Sequence, residues 1–165
     1  MGKKNIFIFS IALLIVLLDQ LTKFLIKQNF QLNESVPIIN NVFHMTYITN
    51  TGSAFGLFRG FNVFFVMFSV IVLFTIFYYI KTHENQRFSG PRKSQRFSRE
   101  IKNNEKPLQF AVGLLLGGTI GNLIDRLFHG FVIDFLDFRV WPVFNIADSA
   151  VTISVILLII LSLKK

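Results

Sequence analysis

Four long apolar stretches constrain the fold of this chain more than any other feature of its sequence. They cover residues 6–26, 61–80, 108–128 and 144–163. Each is close to the length of about 18–20 apolar residues that a helix needs to cross the hydrocarbon core of a bilayer. Because the chain has only 165 residues, short connectors remain and no second domain is expected. The sequence therefore predicts one integral membrane domain (residues 1–165) of four transmembrane helices.

The distribution of basic residues predicts how these helices are oriented. Most of the 17 Lys and Arg residues lie before the first stretch, within residues 81–107, or at the C-terminus. Loops rich in Lys and Arg tend to remain in the cytoplasm, so we expect both termini and residues 81–107 on the cytoplasmic side. Residues 81–107 are polar and charged, which predicts a flexible loop. This topological role explains their basic charge, and we expect no nucleic-acid partner.

The connector between the first and second stretches contains a strand-like segment. Turn-forming residues Asn33 and Pro37 precede a run of alternating and β-branched residues, Val42–Thr49. This pattern predicts a small extended or hairpin element on the extracytoplasmic side. The following residues, 50–56, are small and polar, which favours close backbone approach to a partner or ligand.

The third stretch contains glycines at positions 113, 117 and 121. Small residues spaced by four positions allow helices to approach closely in lipid, so we interpret these glycines as helix-packing positions. Gly130, after His129, is expected to end this helix.

The acidic residues divide sharply between membrane and loop. All four glutamates lie in polar loops, whereas all five aspartates lie inside or at the ends of the apolar stretches or in the short connector after the third. A charged side chain within a membrane costs at least about 2.5 kcal/mol, so its first interpretation is functional. The aspartates are Asp19, Asp125, Asp134, Asp137 and Asp148.

Asp134 and Asp148 are the best candidates for direct chemistry. Asp134 lies in the short connector between two antiparallel stretches, and Asp148 lies at the start of the second of them, so both are expected at the same extracytoplasmic corner. Two carboxyl groups held close together do not ionise together easily. The ionised one acts as a general base towards water, and the protonated one polarises a scissile carbonyl, as in aspartic peptidases. Interfacial carboxylates that only tolerate solvent are the alternative, and Asp137 is a rival for either role.

Two further pairs of opposite charge lie within the membrane stretches. Asp19 and Lys23 are spaced i, i+4, and Asp125 precedes Arg126. Such pairs are most often structural because they neutralise two costly charges. Contact of Lys23 or Arg126 with a lipid phosphate on a substrate is the alternative.

Chemistry based on thiols or bound metals is not expected. The chain has no cysteine and only three histidines, without the spacing of a zinc site. We therefore expect no metal and no cofactor.

Five sequence blocks, taken together, resemble the lipoprotein signal peptidase (signal peptidase II) family. They are Asp19–Lys23, Asn50–Phe55, Gly117–Arg126, Val132–Phe135 and Phe144–Ser149. Each block alone is weak evidence, but the five occur in order and in register with the four apolar stretches. The resemblance covers nearly the whole chain.

The resemblance implies a bacterial aspartyl endopeptidase of the cytoplasmic (inner) membrane, with its active site at the extracytoplasmic face. Such enzymes remove the signal peptide from diacylglyceryl-modified prolipoproteins by cutting before the lipid-bearing cysteine. The expected partners are these substrates and membrane lipid, and the expected state is a monomer. The family's small β-sheet cradle agrees with the predicted strand at Val42–Thr49.

The resemblance also assigns residues. The family's catalytic aspartates correspond to Asp134 and Asp148, which argues against a catalytic role for Asp137. The substrate-binding or site-supporting positions are Asp19, Lys23, Asn50, Gly52, Asn122, Asp125, Arg126 and Asn145.

Two other classes of function remain as competing hypotheses. A small transporter or proton channel also uses intramembrane carboxylates, although most charged groups here are expected at one face rather than in a relay across the bilayer. A membrane assembly protein would use the glycines for helix pairing, but it leaves the polar blocks unexplained.

Overall fold

Each predicted membrane stretch forms a helix in a computed structural model that describes residues 3–52, 60–85 and 95–163. The elements follow in the order α1 (Lys3–Asn29), β1 (Ser35–Ile39), β2 (Phe43–Asn50), α2 (Asn62–Asn85), α3 (Gln95–His129), β3 (Val132–Asp137) and α4 (Ile146–Leu163). Within the described residues, four helices are long and apolar enough to cross a membrane. The predicted fold class, four transmembrane helices with a small β element, is confirmed.

Helix α3 is the centre of the bundle and contacts the other three helices. Its glycines permit this arrangement. A Cβ atom on Gly113 would lie 2.8 Å from the Ile11 Cβ, and one on Gly117 would lie 2.7 Å from the Ala12 carbonyl oxygen. Helix α1 therefore packs directly on the α3 backbone, as the glycine spacing predicts.

The end of the bundle that contains the N-terminus has an apolar core. Ile8 and Ala12 of α1, Ile76 and Ile80 of α2, and Val112 and Leu116 of α3 form one buried cluster. Large apolar side chains elsewhere on α1, α2 and α4 are exposed on the protein. These exposed side chains form the surface expected to face lipid.

The three strands form one antiparallel sheet in the order β1–β2–β3. Strand β2 comes from the connector between α1 and α2, whereas β3 comes from the connector between α3 and α4. Their pairing aligns Ile48 with Asp134 and Asn50 with Val132. Both connectors therefore lie at the same end of the bundle, which positions Asp134 beside Asn50.

Strand β3 is the element that the sequence did not predict. A half-buried strand shows an alternating pattern, but Val132–Asp137 is largely buried on both faces. It therefore lacks the alternation that would distinguish a strand from the rest of the connector. The predicted β element corresponds to the β1–β2 hairpin, where Asn41 adopts a positive φ of 59° in the turn.

The structure differs from the sequence expectation in the segment expected to be a flexible loop, residues 81–107. Residues 81–85 continue α2, and residues 95–107 form the beginning of α3, with Pro107 inside the helix. The Gln, Arg, Glu and Lys residues of this segment are good helix formers, so their polarity does not by itself exclude a helix. Residues 86–94 lie outside the described part of the chain.

Helix α3 ends as predicted. His129 is its last residue, and Gly130 has a φ of 80° and donates its N–H to the Arg126 carbonyl at 3.2 Å. A glycine in this left-handed conformation is a common helix C-terminal cap, and here it turns the chain into β3.

Candidate active site

Asp134 lies in the middle of β3, with only 1% of its surface exposed. Its two carboxyl oxygens each accept a hydrogen bond from an amide side chain. Asn145 Nδ2 donates to Oδ1 at 2.7 Å, and Asn50 Nδ2 donates to Oδ2 at 3.0 Å. The carboxyl group is therefore fixed from two sides.

Asp148 lies in the first turn of α4, where Asn145 caps the helix. The Asp148 N–H donates to Asn145 Oδ1 at 2.8 Å, and the Asn145 N–H donates to Asp148 Oδ2 at 3.3 Å. This reciprocal arrangement is a capping box. The other carboxyl oxygen, Oδ1, accepts a hydrogen bond of 2.7 Å from Asn122 Nδ2.

Asn145 joins the two aspartates into one cluster. It is fully buried and contacts Asp134 through its Nδ2 and Asp148 through its Oδ1 and its backbone N–H. Its Nδ2 also lies 3.1 Å from Asn122 Oδ1. The two aspartates thus share one polar cluster at the same end of the bundle, as their sequence positions suggested.

The environment of Asp134 favours its protonated form. Burial raises the pKa of Asp134, and the negative charge of Asp148 raises it further. Hydrogen bonds from Asn50 and Asn145 and the charge of Lys23 offset part of this effect, so the pKa remains about 7. The carboxyl group of Asp134 therefore retains a proton over a pH range in which an ordinary aspartate has lost it.

Beneath the two aspartates lies an ion cluster centred on Lys23, which is 2% exposed. Its ammonium nitrogen lies 2.8 Å from Asp19 Oδ2 and 3.0 Å from Asp125 Oδ2, and it donates to Asn122 Oδ1 at 3.1 Å. This burial excludes contact between Lys23 and a lipid phosphate. The expected Asp19–Lys23 ion pair is present.

Gln20 is a member of this cluster that the sequence analysis did not single out. Its Nε2 donates to Asp125 Oδ1 at 3.0 Å and to the Gly121 carbonyl at 3.1 Å, and it lies 3.2 Å from Asp19 Oδ2. An uncharged polar residue in a membrane stretch costs less than a charged one, so its sequence signal is weaker. Its position directly after Asp19 was the available clue.

Arg126 lies apart from its sequence neighbour Asp125. Its guanidinium group lies 5.1 Å from the centre of the Phe65 ring, and its NH2 lies 3.5 Å from the Gly52 carbonyl oxygen. Asp125 instead faces Lys23. The difference from the expected Asp125–Arg126 pair follows from helix geometry, since adjacent residues of a helix do not face each other.

Gly52 fixes the orientation of Asn50. Its N–H donates to Asn50 Oδ1 at 2.9 Å, which leaves the Asn50 amide nitrogen directed at Asp134. The small polar segment predicted at residues 50–56 is described only as far as Gly52, and residues 53–59 lie outside the described part of the chain.

Asp137 belongs to a different site. It is three residues from Asp134 on β3, and side chains alternate between faces along a strand, so the two carboxyl groups point to opposite faces. Asp137 accepts hydrogen bonds from Thr46 at 2.8 Å and from the Arg139 backbone and guanidinium at 2.8 and 2.9 Å. Burial alone would raise the pKa of Asp137, but these hydrogen bonds and the Arg139 charge hold it below its ordinary value.

Residues suited to hold a metal ion are not grouped in the described part of the chain. Across residues 5–52, 60–82 and 106–163, whose side chains the structure describes, no three His, Asp or Glu side chains cluster in a way that could ligate an ion. The polar groups around the aspartates are amide and ammonium donors instead.

This fold and site define an integral membrane protein with two buried carboxyl groups at one end of a four-helix bundle. The family model for signal peptidase (SPase) II matches residues 11–164. The chain therefore belongs to the signal peptidase II family and is a peptidase.

Curated relatives and solved structures agree with this assignment. The lipoprotein signal peptidase of Halothermothrix orenii is 42% identical over 154 residues, covering 93% of this chain and 92% of the relative. That of Bacillus subtilis is 42% identical over 156 residues, covering 92% and 90%. A solved bacterial membrane enzyme superposes with a TM-score of 0.77 at 33% identity, covering 95% of this chain and 87% of that one.

Proposed function

We propose that this protein is an aspartic endopeptidase that removes the signal peptide from diacylglyceryl-modified prolipoproteins, cleaving before the lipid-modified cysteine. The observation that carries the proposal is that one buried residue, Asn145, binds both carboxyl groups: its Nδ2 donates to Asp134 Oδ1 and its backbone N–H donates to Asp148 Oδ2. The substrate class rests on the named relatives, which are lipoprotein signal peptidases.

The two aspartates take different roles in this mechanism. Asp148 lies at the N-terminus of α4, where the helix dipole and the capping interactions favour a negative charge. Asp134 has a pKa of about 7 because burial and the charge of Asp148 disfavour its ionisation. On the position of Asp148 at the N-terminus of α4, we assign Asp148 as the general base and Asp134 as the general acid.

The reaction then proceeds without a covalent intermediate. Asp148 accepts a proton from water as the water oxygen attacks the scissile carbonyl carbon, and Asp134 donates its proton to the carbonyl oxygen. The resulting gem-diol intermediate collapses as the C–N bond breaks. The leaving nitrogen receives the proton now held by Asp148, and Asp134 takes back a proton from one hydroxyl group of the intermediate, so both carboxyl groups return to their starting states. The products are the signal peptide carboxylate and the free amine of the lipid-modified cysteine.

The position of the site suits a substrate that is anchored in lipid. Asp148 lies in the first turn of a membrane-spanning helix, close to the end of the bundle that carries the sheet. Acyl chains anchored in the bilayer hold the scissile bond near this depth, which reduces the entropic cost of orienting it. Exposed aromatic side chains such as Phe64 and Phe68 of α2 offer apolar contact to the signal helix.

The proposed location is the bacterial cytoplasmic membrane, with the site at its extracytoplasmic face. The basic termini and the basic segment between α2 and α3 support this orientation. We also propose that a single chain suffices, since Asn50, Asn122 and Asn145 already supply hydrogen bonds to both oxygens of Asp134 and of Asp148. Lipid and prolipoprotein are the proposed partners.

The alternative, a proton channel or transporter, is not favoured. The charged and amide groups collect near the sheet end of the bundle. The opposite end is filled by the apolar cluster around Ile8, Ile76 and Val112. A proton path across the bilayer would have to cross this apolar layer.

The test is the cleavage of a diacylated precursor by purified Asp134→Asn and Asp148→Asn variants. General acid–base catalysis contributes about 10²–10⁴-fold, so each variant should lose at least about 100-fold in kcat. Asp137→Asn is the matched control, because Asp137 lies on the same strand but on its other face, and it should retain nearly full activity. Full activity in either the Asp134→Asn or the Asp148→Asn variant would rule out the mechanism.

A further inference from the structure

We propose that Lys23 is the residue that positions the two catalytic aspartates, acting through Asp19, Asp125 and Asn122. This inference rests on the proposed aspartic mechanism and adds to it. It assigns to one buried ammonium group the task of fixing how far apart the two carboxyl groups lie and how they are oriented.

The hydrogen-bonding capacity of Lys23 is fully used by these three groups. An ammonium group has three N–H donors and no acceptor. Its neighbours are Asp19 Oδ2 at 2.8 Å, Asp125 Oδ2 at 3.0 Å and Asn122 Oδ1 at 3.1 Å. Each donor therefore has one acceptor, and none is left for a substrate or for lipid.

The two carboxylates paired with Lys23 each hold the backbone directly before a catalytic aspartate. Asp19 Oδ1 accepts the N–H of Ala147, the residue before Asp148, at 2.9 Å. Asp125 Oδ2 accepts the N–H of Ile133, the residue before Asp134, at 3.0 Å. The same ammonium group thus determines the position of both peptide units.

A third connection reaches Asp148 through a side chain. Lys23 and Asn145 both donate to Asn122 Oδ1, at 3.1 Å each. This fixes the orientation of the Asn122 amide, so that its Nδ2 is directed at Asp148 Oδ1, 2.7 Å away. The hydrogen bond to Asp148 therefore depends on Lys23.

A purely structural role explains this cluster less well. A buried ion pair contributes little net stability compared with apolar residues of similar volume, because its charges must be desolvated. What such a cluster does provide is a fixed geometry. The Lys23 charge also acts on the site directly, since it lowers the pKa of Asp134.

The experiment compares Lys23→Met with Lys27→Met in the full-length protein. Lys27 lies one turn further along the same helix, is exposed, and lies near His129 at 3.5 Å, so it is a matched control. Since a displacement of about 1 Å can cost about 100-fold in rate, Lys23→Met should lower kcat about 100-fold or more with little change in KM. Lys27→Met should behave as wild type.

The pH profile distinguishes positioning from a general loss of stability. Removing the Lys23 charge raises the pKa of Asp134, so the residual activity of Lys23→Met should persist to higher pH than that of the wild type. An unchanged kcat, or a reduced kcat with an unchanged pH profile, overturns the proposal.

If Lys23→Met does not fold, a second pair of variants tests whether the hydrogen bond from the Ala147 N–H to Asp19 is needed for activity. Asp19→Asn keeps an oxygen that can accept the Ala147 N–H, whereas Asp19→Leu does not. The proposal expects folded Asp19→Asn to retain clearly more activity than folded Asp19→Leu, and equal activities in the two contradict it. Wild type and Asp134→Asn are measured in the same experiment as controls. Cleavage by Asp134→Asn would show that the aspartic mechanism itself is wrong, independently of the role of Lys23.

Discussion

At the scale of single residues, the site depends on amide side chains as much as on the two aspartates. The aspartates were predictable because a charge in an apolar stretch is costly and therefore conspicuous. Asn145 and Asn122 entered only through the resemblance, because an amide within a stretch has no comparable cost and its partners are distant in sequence. The spacing of Asn145 and Asp148 does match a capping box, which was the local signal for Asn145.

Replacing Asn145 by alanine should affect both stability and catalysis. It removes the N-cap of α4, which is worth about 1 kcal/mol, and it removes one of the two amide donors to Asp134. We expect a lower unfolding temperature and a kcat reduced at least about 10-fold. Asn29→Ala is the control, because Asn29 is exposed and, within the described residues, its side chain donates to the Leu25 carbonyl of its own helix. Normal cleavage by Asn145→Ala would contradict the role given to this side chain.

The raised pKa of Asp134 predicts a pH-dependent stability. The pKa of Asp134 is 3.8 in the unfolded chain and about 7 in the folded protein. Between these pH values the folded protein binds a proton that the unfolded chain has lost, so the free energy of unfolding falls as pH rises. The limiting slope is about 1.4 kcal/mol per pH unit. Asp134→Asn mimics the neutral form and should lack this contribution.

The measurement is chemical or thermal unfolding of both proteins in detergent at several pH values from 5 to 8. Asp134→Asn should gain stability relative to the wild type as pH rises. Parallel stability curves would show that Asp134 has an ordinary pKa. Cleavage by the wild type should also decline above a pH of about 7, as Asp134 loses the proton it donates.

At the scale of elements, the helices were predictable and one strand was not. Long apolar runs specify the four helices by length alone. Strand β3 has too little alternation to be recognised, because Ile133 and Phe135 are buried beneath the sheet while Val132 and Asp134 are buried as well. Its partner β2 is more than 80 residues away, so its pairing is not encoded locally.

The packing of α3 against α1 near the site gives a prediction at this scale. A Cβ on Gly121 would lie 2.7 Å from Asp19 Oδ2, whereas one on Gly113 would lie 2.8 Å from the Ile11 Cβ. Both Gly121→Ala and Gly113→Ala should lower stability, because the new methyl group displaces the buried Asp19 carboxylate in the first and forces α1 away from α3 in the second. Only Gly121→Ala also displaces Asp19 and should lower kcat about 10-fold or more in the folded protein. Equal kcat values, measured below both unfolding temperatures, would contradict this account.

At the scale of the whole molecule, polarity is distributed unevenly along the bundle axis. The ion cluster, the two aspartates and the sheet lie at one end, and the apolar cluster lies at the other. The antiparallel third and fourth stretches and their short connector predicted that Asp134 and Asp148 lie at one face, but not how closely the polar groups come together. That convergence depends on the close approach of α1, α3 and α4.

The proposed orientation gives a labelling prediction. The chain has no cysteine, so single cysteines report topology without background. In intact cells Asn40→Cys should react with an impermeant thiol reagent, and Gln95→Cys should react only after the cells are opened. The reverse pattern would place the site on the cytoplasmic side.

The most direct test of the central claim uses purified protein with two precursors that differ only in the diacylglyceryl group. Cleavage is followed by mass spectrometry, with Asp134→Asn and Asp148→Asn measured in parallel. The account predicts that the wild type cuts the lipid-modified precursor immediately before its cysteine, leaves the unmodified twin intact, and loses this activity in both variants. Cleavage of both precursors at similar rates, or cleavage that survives either substitution, would contradict it.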